Sequence, residues 1–128
     1  MIRQLSIEAL DEVLLVPRVI VAVPVSHFAK KLALGLVKDC DDLDYFEGLV
    51  LSLTSLNGDI PFTLTTHRGN AKGETTISLP ITFGTANAIA AVFGRIADEL
   101  GIDSKLVVWR QDSDDPPRKF AQNIKSRA

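Results

Sequence analysis

Between Gly48 and Thr65 the hydrophobic period is two, and it reverses around Asn57-Gly58-Asp59. Leu49, Leu51 and Leu53 alternate with Val50, Ser52 and Thr54; beyond the turn Ile60, Phe62 and Leu64 alternate with Thr63 and Thr65. A period of two sends successive side chains to opposite faces, and Asn and Gly tolerate the positive φ of a reversal. The stretch therefore reads as a β-hairpin with one apolar face. Gly69 to Gly73 supplies a second turn, and Thr75 to Ile81 places Ile77, Leu79 and Ile81 on one face of a third strand. The result is an antiparallel meander that must bury its apolar side under other elements.

Helices are the expected cover. Thr85 can cap a helix whose inner face is Ile89, Val92, Phe93, Ile96 and Leu100, with Gly101 at the left-handed position beyond its end. Ser6 is the expected cap of another, with Leu10, Val13 and Leu14 at helical spacing and Pro17 as its stop. Ser26 to about Lys38 reads as a third, lined by Phe28, Leu32 and Leu36, in which Gly35 costs about 1 kcal/mol relative to Ala. Arg18 to Val23 is a strand buried on both sides, Asp39 to Asp44 a loop of like charges, and Lys105 to Arg110 a final strand. Asp112 to Pro117 breaks that strand, and residues 112–128 read as a loosely docked or flexible tail in which Asp115 and Pro116 can start a short helix with Phe120 and Ile124 as its large apolar residues. The expected fold is α+β: a mainly antiparallel sheet, the meander plus one or two further strands, with helices packed on one face. Residues 1–128 form one domain, and the strand order is open.

A chain of 128 residues buries enough surface to fold without disulfides, and its single cysteine, Cys40, cannot form one internally. A reducing, cytoplasmic location is the expectation. The most apolar stretch, Val13 to Val25, spans 13 residues and contains Pro17, Arg18 and Pro24, too short and too interrupted to cross a bilayer. Acidic Glu8, Asp11 and Glu12 stand where a secretory signal would carry basic residues. With 14 basic against 16 acidic residues, phosphate neutralisation is an improbable main task, although the segment from Arg118 to Ala128 holds four basic residues and no acid.

Motifs for catalysis or metal binding do not emerge. Two histidines and one cysteine lack zinc-ligand spacing. Asp39, Asp41 and Asp44 do not fit a calcium loop, because Leu43 falls at the fifth position and Val50 at the twelfth. Gly69 and Gly73 are followed by Glu74 rather than the Gly-Lys-Ser/Thr of a phosphate loop. Ser26 beside His27, and Cys40 among aspartates, are weak nucleophile candidates. No cofactor, metal or catalytic residue is expected.

Two features carry a functional expectation. The non-core side of the meander holds Val50, Ser52, Thr54, Thr63, Thr65, His67, Thr76 and Ser78, of which seven can hydrogen-bond and none is permanently charged. An exposed sheet face ordinarily carries Lys and Glu, which discourage association. Ser52, Thr54, Thr63, Thr65, Thr76 and Ser78 are thus read as an interface for a second copy or another protein, in a non-enzymatic regulatory, inhibitor or immunity-type module. The alternative is a small-molecule or anion site, binding or enzymatic, at His67, Arg68 and Asn70, where an imidazole, a fixed cation and an amide meet at a turn. Trp109 reads as a core residue.

Overall fold

The computed structural model describes residues 1–40, 45–56, 58–67 and 73–111. Among these residues seven strands form one sheet: β1 (Ile2–Gln4), β2 (Leu15–Val21), β3 (Val37–Cys40), β4 (Tyr45–Leu53), β5 (Ile60–His67), β6 (Thr75–Pro80) and β7 (Val107–Arg110). Two α-helices, α1 (Val25–Leu32) and α2 (Ala86–Leu100), complete the regular structure of the described residues with two short 3-10 turns. The order is β1-β4-β5-β6-β2-β7, with β3 also on β4, and every pairing is antiparallel. The fold is α+β.

The meander lies where the alternation places it. Leu53 faces Ile60, Leu51 faces Phe62, Leu49 faces Leu64, and Leu64 in turn faces Ile77. With Val19 and Val21 these form one buried face, closed by Phe28 and Ala29 of α1 and by Ile89, Val92, Phe93, Ile96 and Leu100 of α2. Gly58 has φ 114°, as the first turn requires, and Gly73 has φ 83° at the end of the second. Asn57 and residues 68–72 lie outside the described residues, as do 41–44. Helix α2 has the expected ends: Thr85 Oγ1 accepts from the Ala88 N–H at 3.1 Å, and Gly101 closes the helix at φ 69°.

The first forty residues depart from expectation. No α-helix forms over residues 6–17; a 3-10 turn covers Ile7–Leu10, and Ser6 makes no side-chain cap. Leu15 already belongs to β2, which runs through Pro17. Proline is tolerated there because β7 pairs with β2 only from Val19 onward, and the register with β6 shifts between Pro17 and Val19. The missing N–H costs no ladder bond on the open side. Helix α1 has Pro24, not the expected Ser26, at its N-cap position, so it starts two residues earlier than expected, and it ends at Leu32, where Ala33 turns left-handed at φ 57°. Leu34 and Leu36 then reach the core at a period of two, leading into β3, with exposed Gly35 between them. Phe28, Leu32 and Leu36 satisfy a spacing of four just as well, so the local pattern alone also fits a longer helix.

Smaller corrections fall at strand ends. Asp39 and Cys40 belong to β3 rather than to a loop. Ile81 follows the end of β6 and is half-exposed rather than core-facing. Residues Ser104–Leu106 form a 3-10 turn ahead of β7. The expected tail, residues 112–128, lies outside the described residues. Among those described, no helix is long and apolar enough to cross a membrane.

Candidate functional site

The face of the sheet turned away from the helices is built in rows across the strands. One row is Val50, Thr63, Ser78 and Pro17; the next is Gly48, Thr65, Thr76, Ile20 and Trp109; Phe46 and His67 stand beyond, their rings 5.5 Å apart. Hydroxyl groups therefore face one another directly at Thr63 and Ser78 and at Thr65 and Thr76. Gly48 has a steric reason: a Cβ there would stand 2.5 Å from the Leu64 carbonyl oxygen and 2.8 Å from Thr65 Cγ2. Trp109 is buried, as a core residue would be, but on this side of the sheet.

A bare sheet face would expose these side chains, yet Ser52, Thr63, Thr65, Thr76 and Ser78 are each no more than 9% exposed. Thr54 lies beyond the end of β4 and is exposed. Part of the cover is the chain's own N-terminal segment. The path from β1, at one edge of β4, to β2, on the far side of β6, must cross β4, β5 and β6. The Leu5 N–H donates to the Val50 carbonyl at 2.8 Å, the 3-10 turn follows, and Val13 N–H donates to Leu10 O at 3.0 Å before β2 begins. We refer to residues 7–14 as the strap. The five buried hydroxyl-bearing residues are thus no free surface in the single chain, contrary to what their placement opposite the core suggests.

Between strap and sheet lies a cleft of about 300 Å³. Its roof is Ile7 and Leu10, with Leu15 and Pro17 at one side; its floor is Thr63, Thr65 and Ser78; Phe46, His67, Asp11 and Asp39 complete the lining. Volume in this range is the lower end of what small-molecule sites use, and an apolar lining with a few convergent polar groups is their usual composition. Each hydroxyl can donate one hydrogen bond and accept others. Asp11 and Asp39 are exposed and put negative charge at the opening. His67, at the end of β5, is common to the hydroxyl-bearing face and to the alternative anion site, and it lines the cleft. Arg68 and Asn70 lie outside the described residues.

A second hollow, about 360 Å³, lies between the first hairpin turn and Thr82–Phe83. Its one charged residue, Asp59, is already held by Arg3 Nη2 at 2.9 Å. That leaves it fewer polar groups to orient a guest, so the strap cleft is the better candidate despite the smaller volume. Among the described residues, no three His, Cys, Asp or Glu side chains are grouped to hold a metal ion.

Thr63, Thr65 and Ser78, read from the sequence as part of an interface, lie at the floor of this cleft, and the residues of its roof carry no comparable signal. Ile7, Leu10, Asp11 and Leu15 are some fifty residues away from Thr63 in sequence, and a single 3-10 turn leaves no periodic signature. The usable signal was Pro17, whose presence in a Val/Ile-rich run marks an edge or bulged strand rather than a helix stop. Comparison of the chain with protein-family models, with curated proteins and with solved structures returns no match.

Proposed function

We propose that this protein binds a small amphipathic molecule in the cleft between the strap and strands β5 and β6. The observation that carries the reading is the convergence of Thr63, Thr65 and Ser78 under an apolar roof, with room above them. Uncharged hydroxyls favour a ligand presenting hydroxyl, carbonyl or amide groups to the sheet, and Ile7 and Leu10 favour an apolar or ring-shaped opposite side. Carboxylates at the opening suit a neutral molecule or one bearing an amine, and disfavour an anion. Nucleosides, monosaccharides and small aromatic amines span that chemistry.

Saturation-transfer NMR of the full chain against those three compound classes tests it. The expected result is transfer to at least one class, lost on Thr65→Val, which keeps the shape and deletes the hydroxyl. Equal transfer to wild type and to both Thr65→Val and Ser78→Ala would contradict the reading.

A specific observation also keeps a second reading, self-association. Leu14 and Ile81 are 63% and 50% exposed and are tied together by the Ile81 N–H on the Leu14 carbonyl at 2.9 Å. This apolar pair lies where the strap ends, and a second copy could cover it without lifting the segment. Light scattering over a wide concentration range distinguishes a dimer, lost on Leu14→Lys, from a constant monomer mass.

A further inference from the structure

Arg18 is 7% exposed, yet no carboxylate meets it among the described residues. Its Nη1 donates to Oε1 of Gln111, a neutral amide, and its Nε is buried without a hydrogen-bond partner. The other end of the guanidinium lies against Gly84, with Nη2 3.8 Å from the place a Cβ would occupy. Gly84 immediately precedes Thr85, the N-cap of the 15-residue helix α2, whose first turn contains no acidic residue. Two positive ends, a fixed cation and a helix N-terminus, therefore meet where none of the described residues supplies a negative group. Gly84 and Thr85 are exposed, so the place is open to solvent although the guanidinium is not.

We propose that Arg18, Gln111 and the N-terminus of α2 form a binding site for an oxyanion, a phosphate or carboxylate group. A buried guanidinium left unpaired is costly, and burial here lowers its pKa by disfavouring the charged form. A planar fork with an unused Nε–H is suited to two oxygens of one anion, and the exposed N–H groups of a helix start are the usual companions of such a group. Neither Arg18 nor Gln111 lines the strap cleft, so this site stands independently of the reading above. The oxyanion has two possible sources: a free ligand, or the chain's own Asp112, Asp114 and Asp115, which follow Gln111 in sequence and lie outside the described residues.

The test is a titration of the full chain with inorganic phosphate against chloride at constant ionic strength. Two quantities are read: the melting temperature and the 15N-detected Nε–Hε resonance of Arg18. The expected result is saturable movement of that resonance, with a melting temperature raised by about 4 °C at about five times the dissociation constant. Arg18→Gln should abolish the saturable part. Saturation that emerges only in the triple variant D112N/D114N/D115N also supports the site and assigns its occupant to the chain's own carboxylates. A linear rise shared by wild type and Arg18→Gln is the general salting-out effect of phosphate, and with an unmoved Nε–Hε signal in wild type and triple variant it would overturn the proposal. Because that signal is read in proteins that retain Arg18, the test survives even if Arg18→Gln fails to fold.

Discussion

At the scale of single residues, Gly48 shows how tightly one position can be fixed by its neighbours. It sits in the middle of β4 at φ values open to any residue, so the constraint is space: the Leu64 backbone and Thr65 Cγ2 already fill the place of a side chain. Backbone cannot swing aside as a flexible side chain can. Gly48→Ala should therefore lower stability by about 2 kcal/mol, as overpacking does, measured by urea unfolding. Ala33 is the opposite case. It ends α1 in the left-handed region at φ 57°, where a Cβ is strained and glycine is at home. Ala33→Gly should raise stability by about 0.5 kcal/mol, the relief of strain exceeding the entropy that glycine adds to the unfolded chain. An unchanged or lower urea midpoint would show that the strain is not there.

At the scale of elements, legibility followed length and repetition. Strands β4 and β5 alternate over residues 49–53 and 60–65 around a glycine turn, and α2 carries four turns of helical spacing between a hydroxyl cap and a closing glycine. Signals of that length overdetermine the answer. The first forty residues hold only short elements, and there the same leucines satisfy two periods: Leu32 and Leu36 are spaced for a helix, while Leu34 and Leu36 are spaced for the approach to β3. What decided between them was tertiary. The outer edge of β4 is long enough to take both β1 and β3, and pairing there satisfies backbone groups that an extended α1 would leave bare. The floor of the cleft was legible as a run of hydroxyls; its cover was not, because local pattern does not say which distant segment will cross a sheet. That cover makes a prediction about Thr76, 3% exposed and paired with Thr65. Thr76→Lys should cost more than about 3 kcal/mol in chemical denaturation, as a charge placed in a closed interior does. A loss below about 0.5 kcal/mol would mean that this row is open to water.

At the scale of the whole molecule, the sheet is sandwiched unequally. One face carries a hydrophobic core closed by two helices, and the other carries a polar layer crossed by a strap that is fixed at both ends but holds only one 3-10 turn between them. Apolar closure needs no specific partner, whereas hydroxyls under a thin cover leave donors and acceptors available to whatever enters. Under the proposed function the asymmetry divides the labour of the fold: α1 and α2 close the apolar core, and the strap side would supply recognition. Substitution of Leu10 separates the two. Leu10→Trp should fill the cleft and remove ligand binding while leaving the urea midpoint close to that of the wild type, because the added ring occupies existing space.

The most direct test of the account is a map of backbone amide shifts in the full chain as the best compound from the saturation-transfer panel is added. The account predicts that the shifts concentrate on residues 7–15, on Thr63 to His67 and on Ser78, and that they vanish in Leu10→Trp. Shifts that leave the strap and β5 unmoved, or that persist undiminished in Leu10→Trp, would contradict it.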